Sequence, residues 1–189
     1  MSSLVDSRKD QKRAKTVTRS FRINEAAFAV LEEEAKRRNV SSNTLLNQQL
    51  LQYANHDRFF KVGLVRISSV FFRRLLEAAT DEELARVGEA LAIDEPGAVM
   101  LEKSGEVTLN TTIEFLQMVS EYSGLYEYSQ TKSPNGMVIT IIHGLGHKGS
   151  VLYSAFAKAI FEAIGYSPKI RTHEHSIDFE IIPNKLQEI

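Results

Sequence analysis

The chain has 189 residues, a formal net charge of −1 and 43% hydrophobic residues. That is the size of one ordinary domain, or of a small module plus a medium one, with the balance of a soluble globular protein. It has no cysteine, which excludes disulfides and thiolate metal sites and fits a cytoplasmic location, and it has no apolar run of about eighteen residues, so neither a spanning helix nor a membrane partner is expected.

The charge is unevenly placed. Seven basic and two acidic residues precede Glu25, whereas thirteen basic and eighteen acidic residues lie from Asp57 onward. Residues 1–14 read as a flexible basic arm with no apolar core, unlike a secretory signal. Such an arm on an acidic body suits a polyanionic partner, or is simply a solvated terminus.

The stretch TVTRSFRI, Thr16 to Ile23, alternates with the period of a strand. One face presents Val17, Arg19, Phe21 and Ile23, the other Thr18, Ser20 and Arg22. Asn24 then reads as an N-cap. Phe28, Leu31 and Ala35 follow at helical spacing, with cations in the last turn and Asn39 suited to a left-handed closing position. Ser41 reads as the cap of a second helix whose apolar set is Leu45, Leu46, Leu50 and Tyr53. One strand and two short helices have too little interior to stand alone. The expectation is a homodimer in which two copies of TVTRSFRI pair antiparallel and four helices cover one face, with Phe21, Ile23, Phe28, Leu31, Leu46 and Leu50 inside.

The run SFRINEAAFAVLEEEAKRRNVSSNTLLNQQL resembles the ribbon-helix-helix DNA-binding module of bacterial and archaeal repressors. The features that carry the resemblance are the alternating strand, the spacing of Phe28, Leu31 and Ala35, and the serine at the start of the second helix. Asn39 stands where the family's turn has glycine, and Arg19 sits on the nominally apolar face. The resemblance spans roughly Lys15 to Ala54. It implies that residues 15–55 form a DNA-binding and dimerisation domain whose two-stranded ribbon enters the major groove of double-stranded DNA. By match of position, Thr18, Ser20 and Arg22 contact bases, with Arg22 suited to guanine O6 and N7. The free N–H groups at Ser41, Ser42 and Asn43 suit a phosphate. Lys12, Arg13, Lys15 and Arg19 add phosphate contacts that weaken with salt.

A hinge is expected at His56 to Phe60, and residues 60–189 form a second domain that senses a ligand or drives assembly into tetramers. KVGLVRI is a short strand or a helix start. SSVFFRRLLEAA reads as helix, Thr80 and Glu83 make a capping box for the next helix, and IDEPGAVMLEKSGEVT, which holds Pro96, Gly97 and Gly105, contains turns around a middle that the pattern does not assign. TTIEFLQMVSEYSG is amphipathic helix, with Ile113, Leu116, Val119 and Tyr122 on one side. GLYEYSQ and GMVITIIH read as strands around the turn KSPNG, SVLYSAFAKAIFEAIG as helix, and KIRTHEHSIDFEII as strand, or as a hairpin turning at the histidines. The fold class is thus α+β: an N-terminal ribbon-helix-helix module plus a C-terminal α+β domain with a largely antiparallel sheet.

Two features of this second domain invite chemistry. In HGLGHKGS, Gly144, Gly146 and Gly149 spell G-x-G-x-x-G between a strand and a helix, but the hairpin before it and the short chain after it leave no room for a doubly wound nucleotide fold. The loop is either a tight glycine turn or, with His147, Lys148 and Ser150, a site for a small anionic effector. His173 and His175 would share a strand face and, with His143 and His147, offer ligands to a divalent transition metal. Some nickel-responsive ribbon-helix-helix repressors also carry an H-x-H strand, though their site uses a cysteine that this chain lacks. Hydrogen-bonded or solvated histidines are the alternative. No nucleophile with a framing acid and base stands out, so no enzyme is expected. The reading is a cytoplasmic transcriptional regulator. Its alternatives are the antitoxin of a toxin–antitoxin pair, or a metal- or nucleotide-binding protein whose N-terminus only dimerises.

Overall fold

The computed structural model describes residues 16–60, 65, 67–134 and 136–182. The arm with Lys12, Arg13 and Lys15 lies outside the described residues, as does most of KVGLVRI. The chain divides into two compact units, Met1–Asn47 and Gln48–Ile189.

The first unit is built on α1, Glu25–Arg37, and the start of α2, Ser42–Asn55. Asn24 caps α1 by accepting the Ala27 N–H at 3.1 Å. Asn39, at φ 54°, reverses the chain between the helices. Ser41 Oγ accepts the Thr44 N–H at 3.0 Å and starts α2. Among the described residues of this unit, the buried apolar side chains are Ala35 and Leu45.

The expected ribbon strand is absent. Thr16–Asn24 carries neither strand nor helix, and every strand among the described residues lies from Glu127 onward. Alternation sorts side chains onto two faces, but a strand exists only through the ladder to its neighbour, and this chain pairs its ladders in the C-terminal sheet. The fold class is therefore corrected to α+β with the sheet confined to the second unit.

That unit begins within α2, whose end is followed by a 3-10 turn, Asp57–Phe59, then by α3, Ser69–Glu77, and α4, Asp81–Asp94. Thr80 and Glu83 form the expected capping box. The unassigned middle of the segment expected to contain turns is the helix α5, Pro96–Ser104. Pro96 occupies the first turn, where its missing N–H is not needed, and Gly105 ends the helix at φ 78°. The proline and glycine thus mark the helix's two ends. A second capping box at Thr108 and Thr111 opens α6, Leu109–Ser123, which closes on Gly124 in the left-handed region.

The sheet runs in the order β1-β2-β4-β3, antiparallel throughout. Strand β1, Glu127–Ser133, and β2, Gly136–Ile142, form one hairpin; β3, Lys169–Thr172, and β4, Ser176–Ile181, form the other. Helix α7, Gly146–Glu162, connects them. Ile139 and Ile141 of β2 and Ile177, Phe179 and Ile181 of β4 point to one buried face, as period two requires. Helices cover that face: Phe161 of α7 stacks on Phe179 with ring centroids 5.4 Å apart. Helices α4 and α7 meet at Gly88, where an added Cβ would lie 2.4 Å from the Leu152 carbonyl oxygen. Among the described residues no helix is long and apolar enough to cross a membrane.

Candidate functional site

In the N-terminal unit, Thr18, Ser20 and Arg22 are all exposed, and so are their neighbours Val17, Phe21 and Ile23. Arg19 donates to the carbonyl of Thr18 at 3.1 Å. Arg22 has no hydrogen bond or ion pair among the described residues. The cations of α1 are differently placed. Arg37 grips Glu34 through two hydrogen bonds of 2.6 and 2.7 Å, and Arg38 bonds the same carboxylate. These bonds, Arg37 first, hold the Glu34 carboxyl down to about 2. Ser41 divides its hydroxyl between the Thr44 N–H and the Thr44 Oγ1. Ser42 and Asn43 follow in the first turn of α2, where backbone N–H groups lack intrahelical acceptors.

The glycine loop is a built corner whose cations are engaged. Lys148 Nζ donates to Asp81 Oδ1 at 2.7 Å and to the Ala79 carbonyl at 2.9 Å, while His147 Nε2 donates to Asp81 Oδ2 at 3.0 Å. These bonds, that of Lys148 foremost, hold the Asp81 carboxyl below the usual carboxylate range. They tie the N-terminus of α4 to that of α7. Gly146 lies at φ 69° and Gly149 is packed so closely that a Cβ would meet Leu145 Cβ at 2.4 Å and His143 Nδ1 at 3.0 Å. Gly144 has open space around it. Close packing and a left-handed turn are sufficient reasons for Gly146 and Gly149.

The four histidines named as ligands are not brought together. His143 is buried, and both of its ring nitrogens are engaged. Nδ1 accepts the Leu145 N–H at 3.3 Å, which fixes the neutral ring with its proton on Nε2, and Nε2 donates to Ser150 Oγ at 3.1 Å. Ser150 passes the bond on to the His173 carbonyl. Burial first, and the nearby His175 second, push the His143 pKa down to about 4. His173 and His175 lie in the turn between β3 and β4, outside the strands, so the shared face expected of an H-x-H strand is lost. His173 sits 3.6 Å from Asp178, and His175 lies 3.9 Å from Glu174. Among the described residues no three His, Cys, Asp or Glu are placed to hold a metal.

A concavity lies elsewhere, in the C-terminal unit. A cavity of about 580 Å³ is walled mainly by apolar side chains, among them Phe60, Leu91, Phe115, Leu152 and Phe156. Its polar groups include His56, Asp57, Tyr122 and Ser123. His56 is only 4% exposed and packs on Phe60 and Tyr122, at centroid distances of 4.6 and 5.9 Å. Its Nδ1 donates to Asp57 Oδ1 at 2.8 Å. Asn55 Nδ2 donates to the Tyr122 hydroxyl at 3.1 Å, and burial raises that phenol's pKa. The neighbouring Tyr126 donates its hydroxyl to the Leu116 carbonyl at 3.0 Å, and burial drives its ionisation far above the usual phenol range.

Sequence reasoning passed over this cavity and placed a hinge at His56 to Phe60. The available signal was the adjacent His-Asp pair followed by two phenylalanines, an arrangement too rich in apolar and ionisable groups for a bare linker. No protein-family model matches the chain, and no curated protein shows significant similarity to it.

Proposed function

We propose that the chain is a sequence-specific DNA-binding transcriptional regulator. It acts as a homodimer that grips duplex DNA through its N-terminal unit, while the C-terminal unit takes up an effector or joins dimers into tetramers. The observation that carries this reading is the apolar surface of the N-terminal unit. Val17, Phe21 and Val30 are 78%, 70% and 67% exposed, whereas the unit's buried apolar side chains among the described residues are Ala35 and Leu45. Two short helices with so small an interior gain most of their stability from a partner. A second copy of the same unit supplies the complementary apolar surface at no cost in specificity.

Beside this surface lie groups suited to nucleic acid. Thr18, Ser20 and Arg22 offer hydroxyls and a guanidinium with no partner among the described residues, and a guanidinium is the commonest reader of guanine. Ser42 and Asn43 offer N–H groups at a helix N-terminus to a phosphate. By sequence, Lys12, Arg13 and Lys15 precede them. The resemblance of Lys15 to Ala54 to repressor DNA-binding modules points the same way.

The test is selection of bound sequences from random duplex DNA, followed by the salt dependence of the best site. Enrichment of one motif and a steep loss of affinity with salt are expected. Arg22→Ala should weaken the selected site by about 1–3 kcal/mol and relax the preference at one base pair. Failure to enrich any motif, or binding indifferent to salt, would refute the reading.

A further inference from the structure

We propose that the cavity in the C-terminal unit binds a small, uncharged, mostly apolar molecule carrying one hydrogen-bond donor, such as a phenol, with Nε2 of His56 as the acceptor. The inference concerns the C-terminal unit alone and holds whether or not the N-terminal unit binds DNA.

The volume, about 580 Å³, falls in the range of cavities that enclose small organic ligands. The wall is mainly aliphatic and aromatic, so an ion would give up hydration against it. The charged residues among its described lining are Asp57 and Glu95, which disfavour an anion.

His56 supplies the one directional group. A carboxylate only accepts, so the 2.8 Å bond to Asp57 Oδ1 places a proton on Nδ1. In the neutral ring that leaves Nε2 as a bare acceptor. Nε2 has no partner among the described residues, yet it is not one of the enclosed polar atoms left without one, so it opens on the cavity that His56 lines. A ligand hydroxyl or N–H reaching it there would add a directional hydrogen bond to the apolar contacts. The carboxylate behind the ring holds its tautomer and orientation, as it does for histidines that bind ligands or move protons. Phe60 and Tyr122 hold the imidazole between them, so the acceptor is fixed before any ligand arrives.

The experiment uses the full chain with 2-naphthol and its methyl ether, 2-methoxynaphthalene, followed by probe fluorescence. The chain has no tryptophan to overlap the naphthyl emission. The two probes share an apolar body, and only the naphthol donates. Saturable binding of one naphthol per chain is expected, roughly tenfold tighter than the ether. His56→Phe should bring the two probes to equal affinity, and Val119→Phe should fill the cavity and abolish binding of both. Absence of saturable naphthol binding, equal affinity of the two probes for the native chain, or naphthol binding unaltered by Val119→Phe in a folded variant would each overturn the proposal. The comparison on the native chain needs no variant, so a misfolded substitution does not rescue it.

Discussion

Substituting Gly88 by alanine should loosen the C-terminal unit even though alanine is the better helix former. Gly88 lies within α4, where the exchange alone gains about 1 kcal/mol. Against this, the new Cβ would stand 2.4 Å from the Leu152 carbonyl oxygen, with Ala155 Cβ and the Phe156 nitrogen each at 3.0 Å. Two of those three atoms are backbone of α7 and cannot turn aside as a side chain does. Relief requires α4 and α7 to separate by nearly 1 Å, and overpacking of this kind costs about 1–3 kcal/mol or more. The net loss is up to about 2 kcal/mol, which for a unit of this size lowers the melting midpoint by up to about 8 °C. Gly97 is the control: it too is helical, in α5, and nothing lies within 4 Å of its added Cβ. Gly97→Ala should therefore leave the midpoint unchanged or raise it. Thermal and urea melts followed by circular dichroism measure both. A Gly88→Ala chain at least as stable as the native one, or two variants that shift alike, would refute the close helix contact. Because Leu91 of α4 and Leu152 and Phe156 of α7 line the cavity, the same variant should also weaken naphthol binding.

Other expectations follow from the buried ionisable groups. The His143 pKa falls from an ordinary 6.5 to about 4 on folding, so the unfolded chain binds the extra proton first. Its contribution is complete above the ordinary value and is lost as pH falls from 6.5 toward 4, a change on the order of 2 kcal/mol. His143→Gln should flatten that part of the stability profile, and an unchanged slope in urea titrations across this window would contradict the assignment. Of the six tyrosines, Tyr126 and Tyr153 are held neutral by burial. Ultraviolet titration should show both ionising only as the chain unfolds in alkali, and a fully reversible titration of all six below that point would speak against their burial. Asp81→Asn should release Lys148 and His147 at the start of α7 and raise the stabilisation given by sulfate; equal sulfate response in the two chains would mean that the cations were never engaged.

Much of the architecture was legible because it rests on local chemistry. Asn24, Ser41 and Thr80 each satisfy a helix-end N–H within a few residues, and Asn39 turns the chain by backbone conformation alone. The first C-terminal hairpin was legible from the turn signal KSPNG between two strand-like runs, and the second was one of two readings of KIRTHEHSIDFEII. Period two misled at Thr16 to Ile23, because alternation says which side chains share a face and nothing about where the next ladder is. The helix α5 was left unassigned for a related reason. Pro96 and Gly105 are the residues of turns, and here they stand just inside the start and just past the end of a helix. The cavity was out of reach of pattern: Tyr122 meets Asn55 across 67 positions of sequence, and the histidine between two helices looked like a hinge.

What separates the motifs that were read from the site that emerged is the supply of partners. HGLGHKGS contains the right letters for an anion cradle, yet Asp81 takes both of its cations, and the His143 ring closes on Leu145 and Ser150. Those polar groups have already made their bonds and serve the joint between α4, α7 and the β3-β4 turn. His56 is the reverse case. Asp57 takes one ring nitrogen and leaves the other, Nε2, without a partner among the described residues, at a wall of aromatic and aliphatic side chains. A polar atom that already has its partners must break a bond to take a ligand, whereas one open to a cavity need not. The open nitrogen is therefore the better guide to a ligand, and it favours the cavity beside α6 over the glycine loop as the candidate site of the C-terminal unit.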